Sequence, residues 1–106
     1  MGYVNKKDAV RNMSNPKDFD IFKARFLKKY EKANEEINRL YENNDIDILF
    51  DYIQAINSIA LNVGSQFLKN DTDFVLDKMK KGELTPSDLE ALIETIQAVY
   101  NELKLL

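Results

Sequence analysis

DKMKKGELTPSD, residues Asp77 to Asp88, opens on an aspartate, carries glycine at its sixth position and closes on an acid at its twelfth. That outline matches an EF-hand loop, in which oxygens from positions 1, 3, 5, 7, 9 and 12 surround a calcium ion. Met79 and Lys81 stand at the third and fifth positions. A thioether is too soft for calcium and an ammonium repels it, so the stretch is not that loop. It reads instead as a junction between helices. Lys78, Lys80 and Lys81 suit a helix C-terminus and Gly82 supplies a left-handed cap. Thr85 is then the next N-cap, Pro86 the first helical residue, and Asp88 the acid of a capping box.

On either side of this junction apolar residues recur at three- and four-residue steps, interrupted by only three glycines and two prolines. The pattern predicts an all-α protein, a small antiparallel helical bundle of four to five helices forming one domain over residues 1–106. Residues 1–14 either stay mobile or add a short helix over about Lys6–Met13. A second helix is expected from Pro16, capped by Asn15, to about Glu42, burying Phe19, Phe22, Phe26, Tyr30, Ala33, Ile37 and Leu40. Asn43-Asn44-Asp45 turns the chain into a third helix, about Ile46–Lys69. Asn70-Asp71 is read as a turn into a short fourth, about Thr72–Lys81, and Pro86–Lys104 as the last helix.

The third segment is unlike the rest. From Tyr52 to Leu68 runs YIQAINSIALNVGSQFL, uncharged, in a chain whose residues are 31% charged. Its polar residues and length do not suit a membrane span. On a helical wheel Leu49, Ile53, Ile56, Ile59, Ala60, Val63 and Phe67 make the buried face, with Phe50, Leu61 and Leu68 as a second stripe. That stripe either faces a neighbouring helix or, bordered by Gln54 and Asn57, meets another chain, since charge is depleted at interface cores. The candidate partner-binding residues are therefore Phe50, Gln54, Asn57, Leu61 and Leu68. Gly64 inside this helix would cost about 1 kcal/mol, which close approach of another backbone would justify.

Composition removes whole classes of chemistry. The chain has 106 residues and neither cysteine nor histidine, so thiolate nucleophiles, disulfides, imidazole bases and the common zinc sites are all excluded. The start, MGYVNKKDAV, has no apolar signal region, and Lys6 stands where a myristoylation signal needs Ser or Thr. A cytoplasmic protein is expected.

Charge is divided along the chain. Residues 1–32 hold nine Lys/Arg against four Asp/Glu, net +5, and residues 33–106 hold six against fourteen, net −8. Lys17, Arg25, Lys28, Lys32 and Arg39 would fall within one arc of the second helix, a candidate basic contact stripe for phosphates or an acidic partner. Glu35 shares the arc and no aromatic residue is interleaved for base stacking. The last helix carries Asp88, Glu90, Glu94 and Glu102 against Lys104, which disfavours it as a DNA-reading helix.

Catalysis would have to rest on carboxylates: Glu35-Glu36, Asp47 with Asp51, or Glu90 with Glu94. The segment EEINRLYENND, with Glu35-Glu36 followed by Glu42-x-x-Asp45, resembles the acidic pattern of all-helical MazG-type nucleoside-triphosphate pyrophosphatases. The resemblance would imply a magnesium-dependent nucleotide hydrolase. Arg39 stands where that family has a third acid, and its acidic blocks come from separate helices. The helix layout also resembles that of the helical-bundle immunity proteins of bacteriocin producers, the short helix over Thr72–Lys81 being a departure.

The expectation is a non-catalytic protein-binding module, a small regulator or inhibitor of bacterial or phage type that self-associates through the third helix. No metal or cofactor is expected. An immunity-type bundle or phage modulator, weak nucleic-acid binding through the second helix, and the hydrolase stand as alternatives.

Overall fold

The computed structural model describes residues 2–11 and 13–106. Among these the chain is all-helical, with six α-helices, one 3-10 turn and no strand. No helix is long and apolar enough to cross a membrane among the described residues.

Helix α1 spans Lys6–Arg11 and starts where Asn5 Oδ1 accepts from the Asp8 amide at 3.2 Å. It is shorter than the expected Lys6–Met13; Asn12 lies outside the described residues. Helix α2 spans Asp18–Lys29 and follows a turn in which Asn15 accepts from the Lys17 amide through its side chain and from the Asp18 amide through its carbonyl.

The expected single helix from Pro16 to Glu42 is two helices. α2 closes at Tyr30, whose amide donates to Phe26, and α3, Ala33–Glu42, begins after a turn in which Ala33 donates to Tyr30. The Tyr30 ring is held 5.0 Å from Phe26 and edge-on to Tyr52 at 5.7 Å. The buried stripe runs through the break, with Phe26, Tyr30, Ala33, Ile37 and Leu40 all inside, and only Phe22 left half-buried.

After α3 the Asp45 amide reaches back to Leu40 while Asn44 takes a left-handed φ of 58°, a conformation asparagine tolerates better than most residues. Helix α4 then covers Ile46–Ala60, and the 3-10 turn Leu61–Val63 leads to Gly64 at φ 80°. The third helix expected to reach Lys69 therefore stops here. Ser65 caps helix α5, Gln66–Lys80, by accepting from the Leu68 amide at 3.0 Å. Asn70-Asp71 is not a turn but lies inside α5, and the fourth helix begins six residues before the expected Thr72.

The new start resets the helical phase. Leu68 is fully buried, whereas Phe67, expected inside, is 52% exposed. Gly64 is not a helix-interior residue; its carbonyl accepts from Asn5 at 2.8 Å, and a Cβ there would stand 2.4 Å from the Asn5 oxygen. The Asn5 backbone is the neighbour whose approach keeps this position glycine.

Helix α6 is Pro86–Lys104, as expected. Thr85 and Asp88 form the full capping box, with the Asp88 amide on Thr85 Oγ1 at 3.2 Å and the Thr85 amide on Asp88 Oδ2 at 3.0 Å. In the core α4 packs on α3 and α5, and α6 packs on α2, α3 and α5. The N-terminal segment is docked across α6, where the Glu102 carboxylate accepts from the amides of Gly2, Tyr3 and Val4 at 3.0–3.3 Å.

Candidate cleft between helices α2 and α4

A face of α2 and a face of α4, both bordering the core, meet to make the main cleft. α2 contributes Phe22, Arg25 and Lys29, spaced three and four residues apart, and the uncharged stretch of α4 contributes Ala55, Ser58 and Ile59. The space between them is about 390 Å³. Its floor is apolar, because Ile59 is buried and Phe22 half-buried. Arg25 lies 5.7 Å over the Phe22 ring, so its guanidinium is held at the rim by a face that attracts cations. Among the described lining residues Arg25 and Lys29 carry the only charges.

Lys29 is shared with a second recess of about 300 Å³, lined also by Lys32, Glu35, Glu36 and Tyr52. Burial, then the neighbouring Tyr30 and Glu36, push the Tyr52 phenol up to about 12. Burial likewise raises Tyr30. Both rings stay neutral hydrogen-bonding groups at physiological pH. Cations thus line the cleft, and the recess beyond it turns acidic at Glu35 and Glu36, the latter paired with Arg39.

What the cleft offers is recognition chemistry. Ser58 Oγ donates to the Gln54 carbonyl at 3.0 Å, so its proton is committed within the helix. An apolar floor, an uncharged polar wall and a cationic rim remain.

Several residues singled out from the sequence lie elsewhere. Leu68 is in the core. Asn57 ties α4 to α5, donating to Thr72 Oγ1 at 2.8 Å and Asp73 Oδ1 at 2.7 Å. Phe50 is half-buried with Lys80 Nζ 6.0 Å from its ring centre, while Gln54 and Leu61 are exposed. These five do not form one surface, because the break at Gly64 separates Leu68 from the wheel that grouped it with the others.

The basic stripe is divided in the same way by the break at Tyr30. Arg25 lines the cleft and Lys32 the recess; Lys28 is exposed on α2, Lys17 lies in the turn before it, and Arg39 pairs with Glu36 on α3. Lys29, Ala55 and Ser58 were not singled out. Their signal was a cationic face at Phe22, Arg25 and Lys29, opposite small and polar positions in a run without charge.

Of the acid pairs, Asp47 with Asp51 and Glu90 with Glu94 are exposed on α4 and α6. Among the described residues no group of three or more acids is placed to hold a metal ion. Compared with known proteins, the chain matches no family model, no curated protein and no solved structure.

Proposed function

We propose that this chain is a non-catalytic protein-binding module, a small regulator or inhibitor that seats an acidic, apolar segment of another protein in the α2–α4 cleft. The observation that carries the reading is the cleft's make-up: Phe22 and Ile59 beneath, Arg25 and Lys29 above, and no carboxylate among the described lining residues. An aliphatic side chain would cover the floor and exclude water, and a flanking Asp or Glu would reach the rim cations. Burial supplies most of the affinity and the charges select the partner. A nucleic-acid role is less well supported, because the break at Tyr30 removes the continuous basic face on which it depended.

A random peptide library displayed on phage tests this. Selection should enrich sequences with Asp or Glu flanking Leu, Ile or Phe, and Arg25→Glu with Lys29→Glu should weaken their binding by at least about tenfold, since attraction becomes repulsion. Enriched peptides indifferent to that reversal, or no enrichment, would remove the cleft as the binding surface.

A further inference from the structure

One side of α4 carries a row at helical spacing, Ile48, Tyr52, Ala55 and Ile59, continued by Asn62 in the 3-10 turn. Its two ends differ. Ile59 is 9% exposed at the floor of the cleft, whereas Ile48 is 57% exposed with no cation beside it on α4. Asp47 and Asp51 flank Ile48, both exposed. The start of α4 is therefore an acidic-apolar knob of the chemistry that the cleft at the other end of the row would take.

We propose that the cleft's occupant in solution is a second copy of this chain, packed about a two-fold axis through Ala55 with the two α4 helices antiparallel. The register follows from the spacings. Tyr30, at the end of α2, edges onto Tyr52 near the start of α4, while α2 also packs on the 3-10 turn beyond the end of α4, so the two helices run in opposite senses. α4 of one copy then runs parallel to α2 of the other. Ile48 and Asp51 are three residues apart, and so are Phe22 and Arg25. Setting Ile48 on Phe22 of the second copy brings Asp51 to its Arg25, and the two-fold repeats both contacts.

Ala55 at the crossing lets the backbones approach, and the uncharged Ser58 and Asn62 put no like charges face to face. This inference rests on the cleft reading above and adds a consequence for it: self-association covers the cleft, so a protein partner has to compete with the second copy.

Sedimentation velocity over a wide concentration range should show a monomer–dimer equilibrium that weakens with added salt. Arg25→Asp and Asp51→Arg should each raise the dissociation constant at least about tenfold, and the two together should restore it to within about threefold. Far-UV circular dichroism should stay helical throughout. Because the chain lacks cysteine, Ala55→Cys gives an independent readout: it should oxidise to a covalent dimer much faster than Asn101→Cys on α6. A wild type that stays monomeric, a dimer indifferent to both reversals, or equal cross-linking at 55 and 101 would each overturn the proposal. Asp51→Arg leaves the cleft intact and uncovered. If that variant takes acidic peptides while the wild type proves monomeric, self-association fails and the cleft reading stands; if the charge swap succeeds but that variant takes none, the reverse holds.

Discussion

Gly64 and Gly82 occupy similar left-handed conformations, at φ 80° and 68°, yet they are not equivalent. A Cβ at Gly82 would meet nothing within 4 Å, whereas one at Gly64 would press on the Asn5 carbonyl oxygen and carbon, at 2.4 and 2.9 Å. Gly82→Ala should therefore cost only the conformational term, about 1 kcal/mol. Gly64→Ala should cost at least about 2–3 kcal/mol, because backbone has to move as well. Urea unfolding of both variants measures the difference, and loss of amide protection at Asn5 would show that the clash is what undocks the N-terminal segment. Glu102 holds the same segment from the other side. Burial alone would raise its carboxyl, but the amides of Val4, Tyr3 and Gly2 act against this and the group lies below its ordinary 4.5. A native value below the unfolded one means that its contribution is complete above about 4.5 and fades as pH falls through the native value. Glu102→Gln should flatten part of the acid limb of a stability–pH curve. A remainder should persist from Asp88, held low by the Thr85 amide, and from Asp73, held low by Lys69.

At the scale of elements, the corner between α4 and α5 decides which side chains are inside. Ser65 is fully buried and its Oγ caps α5 at the Leu68 amide. Ser65→Ala should cost about 1–2 kcal/mol, near the top of the range for N-caps because no water replaces the bond. Thermal melts check this, and Thr85→Ala at the exposed start of α6 is the comparison, with a smaller loss expected. The last helix was legible to its ends because Gly82, Thr85, Pro86 and Asp88 are stop and start signals with one common reading. The corner at Gly64-Ser65 carries the same kind of signal, glycine followed by a capping hydroxyl. It was masked by an apolar period that happens to continue across it. At Tyr30 there was no local signal at all. Glu31 and Lys32 are ordinary helix residues, and the break falls where the Tyr30 ring meets Tyr52 of α4 edge-on. A wheel drawn through the break at Tyr30 keeps the buried residues together, whereas one drawn through Gly64 exchanges Phe67 and Leu68, which is why the core was read well up to α4 and less well just beyond it. Of the cleft, Arg25 was singled out from sequence because it is a charge; Ala55 and Ser58 were not, since small residues acquire meaning only from what stands opposite.

For the molecule as a whole, the breaks at Tyr30 and Gly64 divide two long amphipathic stretches, and α4 and α5 on either side of Gly64 pack on one another, so that one core is enclosed by the six described helices and the uncharged run is shared between inside and outside. Leu61 and Leu68 illustrate the division. Treated as one stripe they should respond alike to charge, yet Leu68 is fully buried and Leu61 is 46% exposed. Leu68→Glu has to place a carboxylate among Leu76, Val75 and their neighbours in the core, or expel the start of α5 from it. An unpaired buried charge costs several kcal/mol before the lost packing is counted. A domain of this size has about 5–15 kcal/mol in total, so that variant should unfold or become molten at 25 °C. Leu61→Glu should stay within about 0.5 kcal/mol of the wild type, as surface changes usually do. Denaturant curves on the pair decide it. If Leu68→Glu melted with wild-type cooperativity and midpoint, α5 would not begin at Gln66 behind a Ser65 cap, and Leu68 would not lie in the core.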